Sequence, residues 1–133
     1  MKTLTDIFMA ATAPYSNPFQ GPDKRVLFVC SGGILRSATA ARVYARKYNT
    51  RAAGSHPYAL IPITDNLLAW AQEIVFMAES NWDEAVRVWG PTVFAGRSKV
   101  LAIPDRFEHM HPELVAELER QYESIQADVS GEG

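Results

Sequence analysis

The chain has 133 residues, with 13 Lys plus Arg against 15 Asp plus Glu, a formal charge of −2. Apolar residues make up 47% and charged residues 21%, the balance of one globular domain too short to be two. The charge gives no reason to expect nucleic acid or an anionic membrane as partner. A single cysteine, Cys30, excludes an intrachain disulfide framework, a Cys-rich zinc site and a Cys-x-x-Cys redox pair. It leaves two roles open: a small buried apolar residue or a nucleophile.

No stretch approaches the roughly 18 apolar residues of a membrane span. Thr3, Thr5 and Asp6 break up the apolar residues at the start, so no secretory signal is expected. The expected compartment is the cytoplasm, where a lone thiol stays reduced. Residues 1–25 read as an N-terminal extension. Leu4, Ile7, Phe8 and Ala11 have helical spacing, and Pro14, Pro18 and Pro22 form a turn-rich connector. A globular domain is expected over 26–127, and a small polar, disordered tail over 128–133.

Val26-Leu27-Phe28-Val29-Cys30 is a continuous apolar run, the pattern of a strand buried on both faces. Ser31-Gly32-Gly33 ends it. From Arg36 the spacing turns helical, with Ala40, Val43, Tyr44 and Tyr48 on one face and a stop at Asn49. A short strand is expected over 50–54. Thr64 can cap a helix through Leu67, Leu68 and Ala71. Ile74–Met77 reads as a third strand. A helix over Asn81–Trp89 carries Trp82, Ala85, Val86 and Trp89. Lys99–Ile103 reads as a fourth strand, stopped by Pro104. Pro112 suits the first turn of a last helix with Leu114, Leu118, Tyr122 and Ile125 on one face. Strand and helix alternate four times. This predicts an α/β three-layer sandwich, a four-stranded parallel sheet with helices on both faces. Ligands of such sheets bind beyond the carboxyl ends of the strands. Those ends carry Cys30–Arg36, Ser55 and His56, Glu79 and Ser80, and Asp105 onward.

The first of these loops reads Cys30-Ser31-Gly32-Gly33-Ile34-Leu35-Arg36-Ser37. It lacks the Gly-Lys-Ser/Thr of a Walker A loop and the glycine spacing of a dinucleotide fingerprint. It contains Cys-x5-Arg-Ser. The backbone N–H groups of Ser31 to Arg36 can ring a phosphate dianion, and the planar Arg36 fork can grip two of its oxygens. Cys30 would sit beneath the phosphorus, where helix dipole, loop donors and Arg36 favour the nucleophilic thiolate. Ser37 can donate a hydrogen bond to that sulfur and help it leave.

This loop resembles the phosphate loop of the low-molecular-weight protein tyrosine phosphatases. The resemblance extends over roughly residues 25–126: Ala53-Gly54-Ser55, Leu67–Ala71 into Ile74–Met77, Ile103-Pro104-Asp105-Arg106-Phe107 and His111-Pro112-Glu113-Leu114-Val115 are similar to a compact branch of predicted phosphatases. It implies the phosphatase I-like fold and a cysteine-dependent tyrosine phosphatase that works through a phosphocysteine without metal or other cofactor. It also implies a general acid on the loop after the last strand, where Asp105 stands; Glu108 is an alternative candidate, and His109 and His111 are expected to be surface or capping residues sooner than proton donors. Ile34, four residues after the nucleophile, and Phe107, two after Asp105, would line the pocket; Tyr58 or His56 would form the opposite wall. The expected substrate is a phosphotyrosine-containing protein or a small aryl phosphate.

Several positions depart from the family pattern. Gly33 stands where Asn is common; both tolerate positive φ, but a side-chain brace of the loop is lost. Leu35 replaces a second cysteine, so an oxidised Cys30 has no neighbouring thiol. Ala38 replaces a proline, Arg106 follows Asp105 where Pro is usual, and His111 replaces a capping Asp. Three other readings stay open. An arsenate reductase needs further cysteines, a phosphocarrier does not call for Arg36, and a phosphate-loop protein could bind phosphopeptides or a partner without turnover.

Overall fold

The computed structural model describes residues 23–126. The expected N-terminal helix, its connector up to Pro22 and the polar tail lie outside the described residues. Four strands, β1 (Arg25–Cys30), β2 (Asn49–Gly54), β3 (Glu73–Phe76) and β4 (Ser98–Val100), pair in parallel in the order β2-β1-β3-β4. The helices are α1 (Arg36–Val43), α2 (Asp65–Trp70), α3 (Glu79–Trp89) and α4 (Pro112–Leu118), the last continuing through a π-turn at Glu119–Glu123. The α/β sandwich read from the alternation of apolar segments is the fold observed.

The pleat sends successive residues of β1 to opposite faces. Val26, Phe28 and Cys30 pack with Ala40 of α1, Tyr44 just after it, Leu114 and Leu118 of α4 and Tyr122 of its continuation. Leu27 and Val29 pack on the other face with Leu67 and Leu68 of α2, Ala85 of α3 and Phe94. Trp70, Trp82 and Trp89 are partly buried against this second cluster. The helices on both faces explain why β1 is apolar from Val26 to Cys30 rather than alternating.

Most boundaries shift by one or two residues from the sequence reading, and two differ by more. Helix α1 ends at Val43, because Ala45 N bonds to Arg42 O and Lys47 N to Tyr44 O in tightening turns that return the chain to β2. Regular β4 covers only Ser98–Val100, yet its ladder runs on: Leu101 N donates to Phe76 O and Ile103 N to Met77 O, each at 2.8 Å. That extension carries the chain to the carboxyl edge before Pro104 turns it. Thr64 caps α2 as expected, its side chain accepting from Leu67 N at 3.2 Å.

Candidate active site

Cys30 ends the central strand β1, and Ser31–Leu35 bridge to α1. The loop carbonyls are held from one side by the segment after β2. Ser55 N donates to Cys30 O at 2.8 Å, His56 N to Ser31 O at 3.2 Å and Ile61 N to Gly32 O at 3.3 Å. Gly33 N turns the other way and donates to Cys30 Sγ at 3.3 Å. The amides of Ser31, Gly32, Ile34 and Leu35 donate to no acceptor among the described residues. A ring of such donors at a helix start suits an anion.

Gly33 has φ 83°, and a Cβ there would meet Ala53 C, Gly54 N and Ile61 O, each at 2.9 Å. Sterics as well as backbone angle therefore demand glycine. Ser37, fully buried, places Oγ 3.0 Å from Cys30 Sγ. Arg36 is 3% exposed. Its Nη1 donates to Ile103 O at 2.9 Å and its Nη2 to Ser31 Oγ at 3.3 Å. Its Nε is buried with no hydrogen-bond partner among the described residues. The cysteine's loop and the extension of β4 thus hold the guanidinium between them.

Asp105 stands at the mouth, with its side chain 61% exposed and Oδ2 3.5 Å from Arg36 Nη2. Its loop is moored further on. Met110 has φ 61°, and its N–H donates to Thr39 Oγ1 of α1 at 2.8 Å. Glu108 is exposed. His111 caps α4, Nδ1 accepting from Glu113 N at 3.1 Å, the work an aspartate does in the family pattern.

The expected walls divide. Ile34 is half-buried and Leu35 partly exposed on the loop itself. Phe107 is 4% exposed and belongs to the core cluster that includes Cys30 and Ile103. The Arg106 guanidinium lies 4.4 Å from its ring centroid and the His111 ring 5.6 Å away. It packs the floor under the Asp105 loop rather than standing as a free aromatic face. Tyr58, 89% exposed, and His56 are neighbours on the loop after β2, Tyr58 N donating to His56 Nδ1 at 3.1 Å.

Sequence reasoning missed Asn81. It is fully buried in the first turn of α3, and its Nδ2 lies 3.2 Å from Ser31 Oγ and 3.1 Å from Ser55 Oγ. Ser55 Oγ in turn donates to Glu84 Oε1 at 2.9 Å. Its sequence signal was its place: a polar amide one turn into a helix that starts at the carboxyl edge of a buried strand.

No family model matches the chain, and no curated protein matches it. Among solved structures it is similar to Wzb of Vibrio vulnificus in complex with benzylphosphonate, with a TM-score of 0.52 and 15% identity over 73% of this chain and 90% of that one. At this identity the likeness is one of fold: the chain has the fold of the low-molecular-weight tyrosine phosphatases.

Proposed function

We propose that the protein is a phosphomonoester hydrolase that dephosphorylates phosphotyrosine or a related aryl phosphate through a phosphocysteine. The observation that carries this reading is the surroundings of one sulfur. Cys30 Sγ has Ser37 Oγ at 3.0 Å and Gly33 N at 3.3 Å, beneath a loop whose remaining amides and buried Arg36 supply donors for a dianion. Wzb holds benzylphosphonate, in which a CH2 group stands where an aryl phosphate would present its hydrolysable P–O bond, on the same fold.

In this mechanism the dianion sits on the loop amides and the Arg36 fork. The Cys30 thiolate attacks phosphorus in line with the leaving group. The S–P bond forms as the P–O bond to the aryl oxygen breaks, and Asp105 gives that oxygen its proton. Binding recruits to the dianion the Arg36 nitrogen that pairs with Asp105. In the second step water attacks phosphorus and Asp105 accepts its proton. The Ser37 hydroxyl stabilises the sulfur as the S–P bond breaks. Charge-assisted donors placed before substrate arrives supply the transition-state stabilisation.

Hydrolysis of p-nitrophenyl phosphate by the full chain tests the reading. Cys30→Ser is expected to lower kcat by about 10³-fold or more while inorganic phosphate still binds. Phosphate binding by both proteins with no turnover by either would favour a phosphate-loop binder instead.

A further inference from the structure

Ser31 Oγ lies between two nitrogens, Arg36 Nη2 at 3.3 Å and Asn81 Nδ2 at 3.2 Å. A guanidinium only donates, so Ser31 accepts from Arg36. The partners of Asn81 decide which end of its amide faces Ser31. Glu84 Oε1 is 2.9 Å from Ser55 Oγ. A carboxylate oxygen only accepts, as does the Cys30 carbonyl 3.4 Å from the same hydroxyl, so the single proton of Ser55 is turned to these and away from Asn81. Ser55 Oγ, 3.1 Å from Asn81, can then meet it only as an acceptor. The amide must present Nδ2, one hydrogen to Ser55 and the other to Ser31. Both lone pairs of Ser31 Oγ are then engaged, and its O–H proton has no acceptor among the described residues.

This orientation has a cost. Asn81 is fully buried, and its Oδ1 has no hydrogen-bond partner among the described residues. A buried carbonyl left unpaired destabilises the fold. Turning the amide would let Oδ1 take the proton of Ser31. The observed arrangement keeps that proton free, beside the guanidinium nitrogen at the mouth of the loop.

From this geometry we infer that the Ser31 hydroxyl is a further donor to the anion in the loop. Asn81 is the positioning residue that aims it, held in turn by Ser55 and Glu84. The inference rests on the reading of this loop as a phosphate site. It gives the loop, from outside, the side-chain brace that Gly33 cannot carry.

Calorimetric titration of inorganic phosphate into the full chain tests it with four proteins beside the wild type: Ser31→Ala, Asn81→Ala, the double variant and Ser31→Thr. Ser31→Ala and Asn81→Ala are each expected to raise Kd about tenfold. The double variant should bind no more weakly than Ser31→Ala, because Asn81 acts through the hydroxyl already removed. Ser31→Thr, which keeps the hydroxyl, should bind as the wild type does. If Asn81→Ala weakens binding by the same factor with or without the Ser31 hydroxyl, or leaves Kd unchanged, the inference fails. Should Asn81→Ala not fold, Ser55→Ala takes its place in the cycle, since it frees the amide to turn its carbonyl toward Ser31. A wild-type protein that binds no phosphate overturns the site and this inference together. One that binds and hydrolyses an aryl phosphate while the cycle is additive overturns the inference alone.

Discussion

Three backbone atoms crowd the space where a side chain at Gly33 would begin, and its φ of 83° is one that L-residues rarely adopt. The close approach belongs to the end of β2 and to Ile61, which lie against the loop. An asparagine suits the backbone angle but still brings a Cβ, so the residue common in the family would not fit this loop. Gly33→Ala is expected to destabilise by about 2 kcal/mol or more, read from the midpoint of urea unfolding, with phosphate binding lost alongside. A variant as stable as the wild type would show that the loop can back away from β2. Cys30, Arg36, Ser37 and Gly33 were legible because a strand end, a fixed spacing and a helix start mark them along the chain. Asn81 was not, because its partner Ser31 is 50 residues away in sequence and no local pattern joins them.

Among the elements, β3 begins with a buried carboxylate that no motif announced. Glu73 is 8% exposed and lies at the amino edge of the sheet, opposite Cys30. Burial alone would raise its proton affinity. Hydrogen bonds from Lys99 at 2.8 Å and Tyr122 Oη at 2.5 Å, with the charge of Lys24 at 3.4 Å, outweigh that and hold its pKa below the ordinary value. Burial and the same carboxylate raise the Tyr122 phenol far above its usual range. A carboxyl whose folded pKa is depressed adds stability that is complete above its unfolded pKa, about 4.3, and is lost as pH falls through the folded value. Acid unfolding of the wild type should therefore steepen below about pH 4.3. Glu73→Gln should be less stable at pH 7 yet show a flatter decline through that window, by chemical denaturation at a series of pH values. Parallel curves for the two proteins would remove Glu73 from the account. The apolar spacing of α4 correctly placed Tyr122 in the core; that its hydroxyl would meet β3 depended on how that helix lies across the sheet.

At the scale of the whole molecule, the order β2-β1-β3-β4 sets β1 among its neighbours and gathers their carboxyl ends around Cys30. The loop after β2 holds the carbonyls of the Cys30–Arg36 loop, α3 after β3 sends in Asn81, and the extension of β4 delivers Ile103 and Asp105 to Arg36. Strand–helix alternation made this convergence foreseeable without any contact being known. The same alternation could not foresee that Phe107 would be packed into the core, since an aromatic two residues past Asp105 fits a wall and a floor equally. If Asp105 is the proton donor, Asp105→Asn should slow hydrolysis of phenyl phosphate by about 10²-fold, and that of a strongly activated nitrophenyl ester much less. Equal losses for both esters would assign the proton to another group.

The bond from Met110 N to Thr39 Oγ1 has a consequence for timing. Thr39 lies three residues past Arg36 on one rigid helix, and Met110 five residues past Asp105. The proposed nucleophile, anion clamp and acid therefore ride on a single framework within the described residues. Under the proposed function, groups fixed to one framework before the ester arrives need little reorganisation on meeting it.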